Sequence, residues 1–151
     1  MIMDWKVLTS KEVRELHAVL NRQFGFAGKL DYAFLKNNKG NLFMVTRDVS
    51  LIDWKKLAIN SMGLYFGELR QGIRLSIEGS QLVGPAASKN VVELSAEEAV
   101  LWLKGNDVST TSACQGYVIV KHSKDFLGCG TIKNGQILNF VPKIRRLPEN
   151  A

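Results

Sequence analysis

The sequence predicts an α+β chain, with a mixed α/β N-terminal unit followed by a small β pseudobarrel. Helix-period and strand-period apolar patterns alternate through the first half. A short run of small residues around Pro85 then separates that half from a second set of elements. In the last third, apolar runs at 116–121, 126–132 and 136–141 are joined by glycine turns and close on a basic tail, Lys143, Arg145 and Arg146. Several close-spaced strands with one short helix suit a pseudobarrel.

The elements follow in order. Thr9 and Glu12 form a capping-box pattern. Val13, Leu16, Leu20 and Phe24 then recur at helical spacing, so a helix is expected over about 10–24, with Gly25 and Gly28 ending it. His17 beside that stripe reads as a packed or half-exposed helix histidine. Strand-like runs at 31–36 and 41–46 flank Asn37, Asn38, Lys39 and Gly40, a hairpin signal. Ser50 to Asp53 can cap a second short helix carrying Trp54, Leu57 and Ala58. After Met62 to Gly67, Ile73, Leu75 and Ile77 alternate with Arg74, Ser76 and Glu78, which suits a strand with one buried face.

Gly84, Pro85, Ala86, Ala87, Ser88 and Lys89 form the candidate linker. It is short, so the two halves are expected to pack together. The expected division is residues 1–87 and 88–151. The second unit opens on an apolar run at 91–94. A capping box at Ser95 and Glu98 then starts a helix packed through Ala99, Leu101, Trp102 and Leu103 and stopped at Lys104 and Gly105. Lys133, Asn134 and Gly135 make the last hairpin turn.

Composition bounds the function classes. With 151 residues, the chain has room for one domain or two small ones. Its 46% hydrophobic and 23% charged residues are those of a globular protein. No apolar run approaches the roughly 18 residues of a membrane span, and no basic-then-apolar leader is visible at the start. A cytoplasmic location without membrane contact is the expectation. Cys114 and Cys129 do not make a disulfide framework. With His17 and His122 they also lack the spacing of a structural zinc site. Cys129, between two glycines in a predicted strand, reads as a small core residue.

Catalytic signatures are missing. The glycines at 63, 67, 128 and 130 lack the Lys and Ser/Thr of a nucleoside-triphosphate loop and the three-glycine spacing of a dinucleotide fold. No serine sits in a nucleophile elbow. Asp31, Asp48, Asp53 and Glu68 read as solvated strand-end or cap residues. No enzyme activity, cofactor or metal is therefore expected.

Charge points elsewhere. The formal net charge is +6, and from Lys121 to Arg146 six Lys/Arg stand against the single acid Asp125. A local positive field steers polyanions. Lys104 ends the second-unit helix, and the turn at Gly105 and Asn106 is expected to expose backbone N–H groups to a phosphate. Lys121, Lys124, Lys133, Lys143, Arg145 and Arg146 would add phosphate contacts that strengthen binding without reading sequence. Tyr117 suits either base stacking or half-core packing.

The pattern of Val92 to Leu94, Glu97 to Ala99, Leu103 to Val108, Gly116 to Val120 and Leu127 to Gly130 resembles a PUA domain, an RNA-binding pseudobarrel. Asn134 to Lys143, with Arg145 and Arg146, resembles the C-terminal RNA-binding region of the Sun/fmu (NOL/NOP/Sun) RNA cytosine methyltransferases. The first half, through 9–20, 31–46, 63–67 and Arg74 with Leu75, is similar to the pre-PUA domain of Nip-seven-type ribosome-biogenesis proteins. These resemblances imply binding of structured rRNA or tRNA in RNA modification or ribosome biogenesis. They carry the RNA-contact role to Lys104, Gly105, Asn106 and the basic positions, Lys89 included. A Sun-type methyltransferase also needs an S-adenosylmethionine domain and catalytic cysteines, which the resemblance does not cover, so the implied role is non-catalytic. The alternative is a protein-interaction subunit docking on an RNA methyltransferase or ribosome-assembly factor through Met62, Leu64, Tyr65 and Phe66.

Overall fold

The computed structural model describes residues 5–45 and 64–151. The expected helix after Ser50, with Trp54, Leu57 and Ala58, lies outside the described residues, as do Asp48, Asp53 and Met62. The chain is α+β, as expected. Its first sheet is an antiparallel meander of β1 (Lys6–Val7), β2 (Ala33–Lys36), β3 (Asn41–Val45), β4 (Leu64–Arg70) and β5 (Gly72–Leu75) in sequence order.

Helix α1 (Ser10–Phe24) covers that sheet. Its N-terminus is closed reciprocally. The Thr9 hydroxyl accepts from the Glu12 amide at 3.2 Å, and the Glu12 carboxylate accepts from the Thr9 amide at 3.0 Å. Leu16, Leu20 and Phe24 point into the core, and Gly25 ends the helix at φ +62°. His17 is packed as read. The Leu30 amide donates to its Nε2 at 3.2 Å, which places the ring proton on Nδ1, 3.0 Å from the Val13 carbonyl. The β2–β3 turn rests on Asn37, whose Oδ1 accepts from the Lys39 and Asn41 amides at 2.9 and 3.0 Å.

The strand expected to run through Ile77 stops at Leu75. The Ser76 hydroxyl accepts from the Gly79 amide at 2.9 Å and starts α2 (Ile77–Val83). A serine cap won over strand alternation because it satisfies an amide left free at the helix start. The candidate linker is a 3-10 turn over Gly84–Ala86, with Gly84 buried against Phe126.

The second sheet has the order β6 (Val91–Glu93), β8 (Gly116–His122), β9 (Asp125–Lys133), β10 (Gln136–Asn139), β7 (Val108–Ser109). Only the β6–β8 pair is parallel, and the sheet forms a half-barrel. β7, a two-residue strand, carries too little pattern to be read from sequence. α3 (Ala96–Leu103) starts at the Ser95–Glu98 capping box. The last strand is shorter than expected because the Asn139 Oδ1 accepts from the Val141 amide at 2.7 Å and turns the chain away.

The two sheets meet through β8. Val118, Ile119 and Val120 are all fully buried, although neighbouring strand side chains point to opposite faces. Val118 and Val120 enter the core of the second sheet, around Trp102 and Ile137. Ile119 and, from β9, Cys129 enter the core of the first, around Phe24, Phe66 and Ile73. The continuous apolar run at 117–120 thus serves two cores. Ile119→Ala is expected to lower the unfolding free energy by about 3 kcal/mol in urea denaturation. A change below about 0.5 kcal/mol would show that this seam contributes little packing.

Candidate nucleic-acid interface

The turn after α3 is organised by Trp102. Its side chain is fully buried, and its indole N–H donates to the Leu127 carbonyl at 3.2 Å. Its own carbonyl accepts from the Gly105 amide at 2.9 Å and from the Asn139 Nδ2 at 2.8 Å. That same Nδ2 also donates to the Asn106 carbonyl at 2.9 Å, while the Asp107 carboxylate accepts from the Asn139 amide at 2.8 Å. Asn139 and Asp107 therefore position the turn. Sequence reading missed both, because partners some thirty residues apart leave no local pattern.

The turn differs from its expectation in one respect. Its N–H groups are not free, since Gly105 donates to Trp102, and Asn106 donates to the Leu101 carbonyl at 3.0 Å. These bonds satisfy the last carbonyls of the helix, which would otherwise be orphaned. The Asn106 side chain also turns back, to the Leu101 carbonyl at 3.2 Å. What the turn offers a ligand is cationic side chains. Gly105 takes φ +96°, and a Cβ there would lie 2.5 Å from the Arg146 Cδ and Nε. The Arg146 chain crosses the glycine because nothing projects from it. Arg146 is held by its Nε donating to the Val141 carbonyl at 3.0 Å, and Lys104 by its Nζ donating to the Glu149 carbonyl at 2.8 Å. Both cations bond to neutral carbonyls, so these contacts leave their charge unbalanced. The Leu147 amide, donating to the Leu103 carbonyl at 2.9 Å, ties the tail to the helix end.

The other basic candidates are dispersed. Lys143 and Arg145 share an exposed 3-10 turn beside this cluster, and the Arg145 guanidinium donates to the Glu78 carboxylate at 2.8 Å. Lys121 is partly neutralised, 4.0 Å from a Glu93 oxygen, with its Nζ 5.4 Å from the Phe126 ring centroid. Lys124 sits in the β8–β9 turn, and exposed Lys133 at the far end of β9. Nine residues of strand separate those ends by about 26 Å. Lys89 is exposed next to Gly25 at the end of α1. The six cations between Lys121 and Arg146 thus do not form one rim. The structure brings Lys104, Gly105, Asn106 and Arg146 together, with Lys143 and Arg145 alongside.

Tyr117 is half-buried against the first core, its ring 6.5 Å from Phe140. Of the residues considered for protein docking, the described ones are Phe66, fully buried, Tyr65, half-buried, and Leu64, exposed; these three present no continuous apolar patch. Cys129 is a core residue as read, and burial pushes its thiol up to about 12. Among the described residues there is no cluster of metal-ligating side chains, and no helix is long and apolar enough to cross a membrane.

Residues 89–147 match the family model for the methyltransferase RsmF PUA domain. The chain carries a PUA domain similar to that of the RsmF-type methyltransferases. The ribosomal RNA small subunit methyltransferase F of Aeromonas hydrophila is 30% identical over 123 residues, covering 76% of this chain and 26% of that protein. The alignment is longer than the 63 residues from Lys89 to Ala151, so the similarity reaches into the first sheet as well. The chain spans about a quarter of the length of this relative.

Two outcomes follow from this geometry. Gly105→Ala forces a side chain into a left-handed conformation and against Arg146. Thermal unfolding is expected to show a loss of about 1–2 kcal/mol, and wild-type stability would contradict the positive φ of Gly105. Cys129 is expected to resist iodoacetamide at pH 8 in the folded protein and to react only after unfolding. Rapid native labelling would contradict its burial.

Proposed function

We propose that this protein binds structured rRNA or tRNA, without catalysing a reaction itself, in RNA modification or ribosome biogenesis. The observation that carries the reading is the match of residues 89–147 to the PUA domain of an RNA methyltransferase family. It is supported by the similarity to a ribosomal RNA small subunit methyltransferase F. The cations gathered at the Gly105 turn supply a physical basis: Lys104, Arg146 and Lys143 can pair with successive phosphates, a contact that gives affinity without reading bases. Lys89, Lys121, Lys124, Lys133 and Arg145 would extend the footprint. In this reading, residues 1–87 are a pre-PUA-like domain that buttresses the barrel, and 88–151 are the RNA-binding domain.

A second reading, docking on an RNA methyltransferase or ribosome-assembly protein, has one specific observation behind it. Val100, Leu101 and Leu147 are each more than 40% exposed, and all three lie on α3 or the tail tied to its end. Exposed large apolar side chains gathered on one element suit a protein contact.

Fluorescence anisotropy with a labelled RNA hairpin and a DNA duplex, each across a salt series, tests the reading. Submicromolar binding that prefers RNA and weakens steeply with salt is the expected result. Lys104→Glu should weaken it about uniformly across RNA sequences and lower the salt slope by about one or more. Absence of binding at low salt would overturn the RNA reading in favour of protein docking.

A further inference from the structure

A cleft of about 330 Å³ opens where the first sheet meets the C-terminal segment. Its walls bear two rings, Tyr65 and Phe140, and two guanidiniums, Arg74 and Arg145, with Glu78 and Ile144 at the lip. The guanidinium of Arg74 lies 4.6 Å over the Phe140 ring centroid and is steadied by the Glu68 carboxylate at 3.0 Å. The Tyr65 hydroxyl donates to the Asn41 Oδ1 at 3.3 Å, and its ring packs 5.2 Å from Phe43. All these flat groups are therefore held in place before any ligand arrives.

The volume is at the small end of ligand pockets, suited to one nucleoside rather than a peptide. Unpaired bases stack on aromatic rings and on guanidinium planes, and the cleft offers both. The Glu78 carboxylate holds Arg145 at the mouth, 2.8 Å away, where a phosphate next to an inserted base would pass. Ile144, on the same 3-10 turn, lines the cleft and is 93% exposed. Arg145 and Arg146 are consecutive, yet one faces the cleft and the other crosses the Gly105 turn. The turn over Lys143–Arg145 is thus a narrow ridge between a cationic surface and an aromatic cleft.

We infer that this cleft accepts one unpaired nucleotide of the RNA whose backbone lies on the Lys104–Arg146 surface. The base stacks against Phe140, Arg74 and Tyr65, and its phosphate meets Arg145. The inference rests on the RNA-binding reading and adds to it a preference for RNA with a displaced base.

A hairpin RNA with one bulged nucleotide, and the same hairpin fully paired, test it with the intact chain. The bulged form is expected to bind about tenfold tighter, the scale of one base stacked on an aromatic ring. Phe140→Leu, checked for folding by its melting curve, should remove that difference and keep the affinity for the paired hairpin. Independently of any variant, 5-iodouridine at the bulge should photocross-link the wild-type protein at Tyr65 or Phe140. Equal affinity for the two hairpins, or cross-links mapping elsewhere, overturns the cleft and leaves RNA binding intact. If neither hairpin binds, the RNA reading falls and the cleft with it.

Discussion

The burial of the Trp102 indole is the constraint on which the second half of the molecule depends. The ring fills the half-barrel, and its N–H must find an acceptor there, which it does in the Leu127 carbonyl of β9. That bond fixes α3 against the sheet. The ring also helps keep Gly130 bare, since a Cβ there would lie 2.7 Å from its Cη2 as well as 2.5 Å from the Leu138 carbonyl. The backbone of the same residue anchors the glycine turn and Asn139 together. One residue, through its ring and its backbone carbonyl, thus sets the helix, the strand beneath it and the loop that carries Lys104.

The cations follow from that frame. Surface ion pairs contribute little to stability, so the Arg145–Glu78 and Lys121–Glu93 pairs matter chiefly for where they aim charge. Arg145 is drawn toward the first sheet and its cleft, and Lys121 toward its own strand neighbour. Lys104 and Arg146 are drawn to carbonyls and keep their field. A polyanion approaching this face meets unbalanced charge at the helix end, next to a cleft lined by rings. The shared core along β8 gives that junction its rigidity, because Ile119 and Cys129 belong to the first core while Val118 and Val120 belong to the second.

Much of this was legible in the residues. Thr9 with Glu12 and Ser95 with Glu98 marked two helix starts, because a capping box is a local arrangement confined to four residues. Gly25 and Gly105 marked their ends for the same reason. The α+β class and the pseudobarrel were likewise readable from periodicity and from resemblance. Ile77 misled, because strand alternation and a serine-capped helix start share the same short stretch, and the Ser76 hydroxyl decides between them. The basic tail was visible as charge, but its division was not. Whether neighbouring lysines share a face depends on strand pairing, and β9 separates Lys124, in the turn before it, from Lys133 at its far end. The Gly105 and Asn106 amides close the helix end locally, as a glycine cap does, and so were within reach of the sequence; the joining of Tyr65, Arg74 and Phe140 around one cleft is a long-range fact with no local trace.

The central claim is that RNA lies across the end of α3 and the C-terminal segment. Titration of the ¹⁵N-labelled protein with an RNA hairpin, followed by amide chemical shifts, addresses it most directly. The account predicts that the largest shifts fall at 103–106 and 143–147, with little change around Lys133 to Gly135. Shifts concentrated at the β9–β10 turn, or on α1, with the helix end unmoved, would contradict it.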